Sequence, residues 1–518
     1  MNKNKIDNLT REFMARAGDI CACITLSRRQ AFFYIFLTAG LLIFLKYRWD
    51  YFVLTATIIM IFWYFGAVLF RCSAAAMSLF GRGEIKVTRE QLAAVGDDEL
   101  PVYTIFLPLY KEANIAGKIV KNMSALDYPK DKLDIKILLE NDDLATQEAV
   151  ARCALPSCYE VIVVPGMMPK TKPRACNYGL AQARGEFCVI YDAEDRPEPD
   201  QLKKAYHIFR NAPANLACVQ AKLNYDNSRY NWLTRFFTIE YSTTFDLLLP
   251  GLSTMNMPLP LGGTSNHFRT ALLRNSGGWD PFNVTEDCDL GIRLYTDGYK
   301  TCVLDSTTWE EANSRLWNWV RQRSRWVKGF LQTHLVHVRH PLDTWRRLGP
   351  CGYFGFYLNV GAASFMMLAN PFFWAAGLLY LGLLWHATAH GDTLVNTIIG
   401  PQNFNGYSGL ELFGMHFRAW PLFYWGPTES PAWAWLSVIL FGISMVLLLA
   451  NLLFVGIHLA ACLKRRYYHL IPMVPLMPFY WLLISFAAWK GFIQLFTNPF
   501  YWEKTNHGLC AENQGDNP

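Results

Sequence analysis

Hydrophobic and polar positions alternate along this chain in two different ways. Residues 31–71 and 353–497 are almost free of charge over long runs, whereas residues 82–348 mix charged and apolar positions as a water-soluble domain does. The first run, Ala31 to Leu45, halts at Lys46-Tyr47-Arg48-Trp49-Asp50 and resumes from Tyr51 to Phe70. A membrane-crossing helix needs about 20 apolar residues, so the pattern predicts two crossings joined by a tight turn. No small-residue cleavage site follows the first run and a second comes at once, which argues against a signal peptide. Arg11, Arg16, Arg28 and Arg29 precede it, placing residues 1–30 in the cytoplasm and, after two crossings, residues 82–348 there as well.

The C-terminal region repeats the apolar pattern. Tyr353 to Trp385 is interrupted at Pro371, where a kink or a division into two helices is expected. Residues 386–432 contain Arg418 as their only Lys or Arg, so the loop is expected outside. Trp433 to Cys462 returns to Lys464-Arg465-Arg466, and Leu470 to Phe496 is a last run before the tail, residues 498–518. The region therefore predicts three or four helices, five or six in the whole chain, with the side of the tail depending on the count.

Between the membrane segments the period shortens. Val102–Pro108, Ile135–Leu139, Val161–Val164 and Phe187–Tyr191 read as buried strands, and helical patterns follow at Tyr110–Leu126 and Ala175–Ala183. Such alternation predicts a mostly parallel α/β sheet with right-handed crossovers. Trp232 to Leu249 is apolar but broken by Arg235, Glu240 and Asp246, and is expected to be a helix on the membrane surface.

Composition changes this picture little. The net charge of +6 comes without a basic and aromatic stripe, which excludes a nucleic-acid partner, and the thirteen cysteines lack metal-ligand spacing and fit a reducing compartment.

The chemistry lies at the strand ends. Two predicted strands finish in clustered carboxylates, Glu140-Asn141-Asp142-Asp143 and Asp192-Ala193-Glu194-Asp195, on the edge where such sheets bind ligands. Each cluster alone is consistent with a turn or a helix cap. Together they repel unless a cation compensates, and a divalent ion carrying a diphosphate would do so. Further along come the basic segment Lys170 to Arg174, the glycine-rich Leu261-Gly262-Gly263-Thr264-Ser265-Asn266, and Thr285-Glu286-Asp287 at a helix start. Gln322, Arg325 and Trp326 are spaced three and four apart and share one helix face.

This combination, over about residues 100–340, resembles the family 2 glycosyltransferase domain of membrane-embedded cellulose, hyaluronan, chitin and mannan synthases. It is especially similar to the glycosyltransferase part of the phage N4 receptor B type of inner-membrane protein. The resemblance implies a cytosolic, Rossmann-like GT-A domain inserted between membrane helices of a bacterial inner membrane. It implies a nucleoside site at Asp142 or Asp143, phosphate contacts from Lys172, Arg174, Gln322 and Arg325, and Mg²⁺ or Mn²⁺ at Asp192 with Glu194 or Asp195. Asp287 is then the general base with Glu286 beside it, and Gly263, Thr264, Ser265 and Trp326 line the acceptor. The implied activity is inverting transfer of a hexose or N-acetylhexosamine, from a UDP-sugar in preference to GDP-mannose. The implied product is a growing β-linked polysaccharide extruded through the bilayer, with room for a periplasmic or outer-membrane export partner. The tail around Trp502 resembles a segment that relatives keep in the cytosol near the site. Two alternatives remain open: transfer of one sugar to a lipid carrier, and a non-catalytic receptor or export subunit, which Glu194 in place of a second Asp keeps in play.

Overall fold

In the computed structural model, which describes residues 6–80, 83–389, 410–412, 415–417 and 451–505, the chain forms two compact units. One comprises Met1–Thr25, Ser73–Ser364 and Ile457–Pro518; the other comprises Leu26–Cys72 and Phe365–Gly456. The first unit is built on an eight-stranded sheet of order β3-β2-β1-β4-β7-β6-β8-β5. Its strands are β1 Tyr103–Leu109, β2 Leu133–Glu140, β3 Tyr159–Val164, β4 Phe187–Ile190, β5 Arg196–Pro197, β6 Leu216–Tyr225, β7 Asn266–Arg269 and β8 Lys300–Glu310.

The four expected strands form at the expected places, but the sheet is mixed. β1 pairs in parallel with β2 and β4, β2 with β3, and β6 with β8, while β7 runs antiparallel between β4 and β6, and β5 antiparallel to β8. β1, β2, β3, β4, β6 and β8 thus share one direction, and the carboxyl ends of all six lie on one edge. β6 is hard to see in the sequence because its polar positions are buried with the apolar ones. Gln220 bonds to Thr264 and Gly262, Asn224 donates to Ser242, and Lys222 meets Glu84, Asp246 and Asp305. A buried polar group is tolerated when it is paired in this way. The main apolar core, around Tyr103, Ile105, Leu107, Ile119, Phe187, Leu202 and Phe209, packs helices against β1, β2 and β4.

Helix Trp232–Thr243 continues through a π-turn, Thr244–Leu248, into helix Leu249–Thr254. Leu233, Phe236, Phe237 and Ile239 are buried within protein, so most of the apolar surface expected to face lipid is spent on internal packing.

Among the described residues four helices are long and apolar enough to cross a membrane: Arg28–Tyr47, Ile58–Phe80, Pro341–Ala375 and Tyr468–Thr497. The second apolar run extends as helix to Phe80 rather than ending near residue 71. Pro371 lies inside helix Ala363–Ala389; the irregular points fall earlier, at Gly349 with its positive φ and at the π-turn Tyr357–Ala362. Arg418, most of the 386–432 loop, the 433–450 part of the next run and residues 506–518 lie outside the described residues.

Helix Leu316–His337 fixes the loop before Asp287. Gln332 donates to the Phe282 carbonyl, Asn283 donates to Thr333, and Gly329 presses on Thr285 so closely that a Cβ would come within 2.3 Å of its Oγ1. Gly329→Ala should therefore force the helix off the loop. We expect a loss of about 1–3 kcal/mol, measured as a lowered thermal midpoint of the purified protein.

Candidate active site

The carboxyl edge gathers the predicted residues from four segments. Helix Lys172–Ala181 begins with Lys172, whose ammonium forms an ion pair with Asp192 at the end of β4 and donates to the Gly263 carbonyl at 2.7 Å. Asp287, in the first turn of helix Glu286–Thr296, lies beside Gly263: a Cβ there would sit 3.5 Å from Asp287 Oδ2. Gly263 thus lets the carboxylate stand against the backbone. Arg325 completes the group, since its charge acts on both Glu286 and Asp287.

Glu286 and Asp287 differ in environment. Glu286 is buried, and burial followed by repulsion from Asp287 pushes its carboxyl up to about 8, against the pull of Lys172 and Arg325. Asp287 is half-buried; burial raises its carboxyl too, but the Cys288 N–H, Lys172 and Arg325 oppose this. Glu286 is therefore the more readily protonated of the two carboxyls and Asp287 the more readily ionised. Burial would lower Lys172, but Asp192 and Glu286 raise it well above the ordinary lysine value, so it remains a cation.

At the end of β4, Asp195 is fully buried, accepting from the Asp192 N–H at 2.8 Å and from the Thr264 hydroxyl. Glu194 stays half-buried beside it. Glu310, ending β8, lies across from this turn, because Trp309 pairs with Arg196. Burial, then repulsion from Asp192 and Glu194, raises Asp195 well above the carboxylate range; burial, then repulsion from Asp195, Glu194 and Asp192, does the same to Glu310, and Asp195 Oδ1 and Glu310 Oε1 are buried without a hydrogen-bond partner. Among the described residues no three His, Cys, Asp or Glu side chains converge in a cation-binding arrangement. The excess of negative charge and the two orphaned oxygens nevertheless fit a divalent ion, with Asp192 and Glu194 as the accessible donors.

Other predicted residues are placed elsewhere. Asp143 caps helix Leu144–Ala151 and accepts from the Lys111 N–H, so Asp142, paired with Lys170 at 2.5 Å, is the accessible carboxylate at the end of β2. Arg174 is buried, its guanidinium bound to Asp7 at 2.6 Å and to the Pro165 carbonyl, which makes it a tie to the N-terminal helix. The Thr264 and Ser265 hydroxyls are consumed in the sheet, by Asp195 and Ile190 and by Thr308 respectively. Gln322 accepts from Asn313. Trp326 packs on Tyr241, with ring centroids 6.1 Å apart, and receives the Arg323 guanidinium at 4.6 Å.

The chain's last described segment returns to this edge. Trp502 lies under the Arg325 guanidinium, 4.4 Å from its carbon, and Lys328 donates to the carbonyls of Asn498 and Tyr501. Lys504 pairs with Glu112, just beyond β1. The expected nearness of the tail to the site is met. The sequence reading did not single out Glu310, Tyr241 or Lys328. Glu310-Glu311 is an acidic strand end like the other two, and was the available signal.

Comparison with known proteins agrees with this geometry. Residues 187–389 match the model of "Glycosyl transferase family group 2". Over these residues the chain is similar to family 2 glycosyltransferase domains. It is 30% identical over 238 residues to the "Probable glycosyltransferase YdaM" of Bacillus subtilis, covering 45% of this chain and 56% of that protein. It is 26% identical over 243 residues to "Glucomannan 4-beta-mannosyltransferase 2" of Arabidopsis thaliana, 45% of each, and 26% identical over 295 residues to the "Beta-monoglucosyldiacylglycerol synthase" of Synechocystis, 55% of this chain and 60% of that one. The chain spans about half the length of the curated relatives it matches. Among solved structures, a mannosyltransferase from Pyrobaculum calidifontis in complex with GDP-Man and Mn²⁺ is similar at TM-score 0.47 and 22% identity, over 66% of this chain and 88% of that one.

Glu286 leaves a measurable mark on stability. The folded state holds its proton to about pH 8, whereas the unfolded chain releases it near the ordinary 4.5, so the protein should lose stability as pH rises through that window. Glu286→Gln should flatten this slope in thermal midpoints taken from pH 5 to 8.

Proposed function

We propose that this protein is an inverting glycosyltransferase that uses a nucleotide-sugar donor, preferably a UDP-sugar. The observation that carries the reading is the meeting of Lys172, Asp192, Gly263 and Asp287, with Arg325 beside them, at the carboxyl ends of the strands. The nucleoside end lies toward Asp142 and the diphosphate toward Lys172 and Arg325. Mg²⁺ or Mn²⁺ held at Asp192 and Glu194 would add positive charge against that diphosphate.

Asp287 Oδ2 removes the proton of an acceptor hydroxyl near Gly263. The hydroxyl oxygen bonds to the anomeric carbon from the face opposite the diphosphate, and the carbon–oxygen bond to the diphosphate breaks, its electron pair leaving with the nucleotide. Lys172 and Arg325 meet the charge on that leaving group, and their half-buried positions, Lys172 paired with Asp192 and Arg325 against Trp502, reduce reorganisation during the step. Trp502, stacked on Arg325, holds the guanidinium in place. Half-buried Trp326 and Tyr241 provide the apolar wall on the acceptor side, against which a sugar ring would lie.

The acceptor divides two readings. Extension of a β-linked polysaccharide delivered through the membrane is the first, supported by the apolar helices and by the similarity to the glucomannan 4-beta-mannosyltransferase. Transfer of one sugar to a lipid is the second, supported by the name of the diacylglycerol relative. A panel of radiolabelled UDP-sugars and GDP-mannose, with product size and linkage determined, separates them.

Asp287→Asn should lower the transfer rate by at least the ~10²–10⁴-fold that general-base help supplies, with nucleotide binding retained in calorimetry. An unimpaired rate, or full activity in excess chelator, contradicts the assignment. Trp502→Ala should lower kcat more than it weakens nucleotide binding, because Arg325 keeps its charge but loses its support. Equal kcat in the variant and the parent would remove that role.

A further inference from the structure

Strand β8 ends at Glu310, and the chain then runs through Glu311, Ala312 and Asn313 toward the helix that carries Gln322, Arg325 and Trp326. This connection is held at every second residue. The Asp226 N–H donates to the Glu310 carbonyl at 3.1 Å, and the Asn227 side chain clasps Ala312, accepting from its N–H and donating to its carbonyl, each at 2.9 Å. Asn231 donates to the Ser314 carbonyl at 2.8 Å. A backbone fixed in this way gives the Glu310 side chain a set origin.

Two walls meet at that point. Glu310 stands opposite Tyr225 in the register of β6 and β8, so both side chains leave the same face of the sheet. The rings of Tyr225 and Tyr241 have their centroids 4.4 Å apart, and Tyr241 stacks in turn on Trp326. On the other side, the pairing of Arg196 with Trp309 brings the turn Asp192–Asp195 next to the end of β8. The charges of Asp195, Glu194 and Asp192 act on Glu310, and that of Glu310 acts on Tyr225 and Tyr241. Glu310 is thus placed between the acidic turn and the aromatic wall.

Its side chain is also incomplete. Glu310 is half-buried, yet among the described residues its Oε1 is buried and has no hydrogen-bond partner. A buried acceptor without a donor is costly, and a ligand can supply the donor. With Asp192 and Glu194 given to a divalent ion, the Glu310 oxygen is left for the group that follows the diphosphate. That group is the sugar, whose C–H face suits the aromatic rings and whose hydroxyls suit a carboxyl oxygen.

On the functional reading above, we propose that Glu310 selects the donor sugar, its Oε1 accepting a hydroxyl or amide hydrogen, and that the site takes an uncharged hexose or N-acetylhexosamine and rejects a uronic acid. The rejection follows from charge. Lys172 and Arg325 are engaged by the diphosphate, so a sugar with a carboxylate of its own would meet Asp192, Glu194, Asp195 and Glu310 instead of a cation. A carboxyl group has an accepting oxygen whether or not it carries a proton, so the contact holds in either state of Glu310.

The test is calorimetric titration of the full chain, in the presence of Mn²⁺, with UDP, GDP, UDP-glucose, UDP-N-acetylglucosamine, UDP-glucuronic acid and GDP-mannose in turn. UDP-glucuronic acid, which differs from UDP-glucose only at carbon 6, should bind about tenfold more weakly than UDP-glucose; equal or tighter binding overturns the proposal. Glu310→Gln should lower the affinity for the tightest of the uncharged donors by about tenfold while that for the bare nucleotide stays within about twofold. Glu310→Asp, which draws the carboxyl back by one methylene, should do the same. Donor affinity unchanged in both variants, or lost together with that of the bare nucleotide, overturns the proposal, since the second pattern is that of a purely structural residue. If neither UDP nor GDP binds the parent protein, the functional reading itself is overturned and this proposal with it; bare-nucleotide binding with no dependence of donor affinity on Glu310 overturns this proposal alone.

Discussion

Crowding of negative charge at one sheet edge is the constraint on which the rest of the structure depends. Asp192 and Glu194 repel Asp195 and Glu310, Asp287 repels Glu286, and Lys172 and Arg325 act on this group as cations. Carboxylates in such surroundings either take up protons or gain counter-ions. Glu286, Asp195 and Glu310 are pushed toward protonation, while Asp192 is paired with Lys172. The site is thus prepared for a ligand that brings charge of its own, and a diphosphate with a divalent ion is of that kind.

Helix Leu316–His337 holds this arrangement together. On one side it presses Gly329 against Thr285 and so sets the position of Glu286 and Asp287. On another it lies along helix Met477–Thr497, and through Lys328 it grips the tail that brings Trp502 to Arg325. Its buried Arg323, bound to Glu240 and Tyr480, is costly to desolvate and is kept by the two Glu240 carboxylate oxygens and the Tyr480 hydroxyl. The position of Arg325 relative to Asp287 therefore depends on the helix docking as much as on the loop.

A second ionic network ties the sheet to the membrane-proximal helices. Lys222 of β6 meets Glu84, Asp246 and Asp305, while Lys464 and Arg465 reach Glu84 and Asp246. Lys464 and Arg465, which the sequence reading expects at the inner end of a span, are thus also packing partners of the sheet.

The sequence by itself determined the elements whose causes are local: four strands with contiguous apolar residues, two apolar segments of crossing length, acidic strand ends, and a helix with Gln322, Arg325 and Trp326 on one face. Each follows from spacing and side-chain type within a few residues. Only the tertiary structure decided which acidic and basic residues are free to act. Asp143 and Arg174 look as available as Asp142 and Lys172 along the chain, yet one is spent as a helix cap and the other is buried against Asp7, a partner 167 residues away. β6 and β7 escaped because their polar residues find buried partners from distant segments, so alternation no longer signals which face meets water.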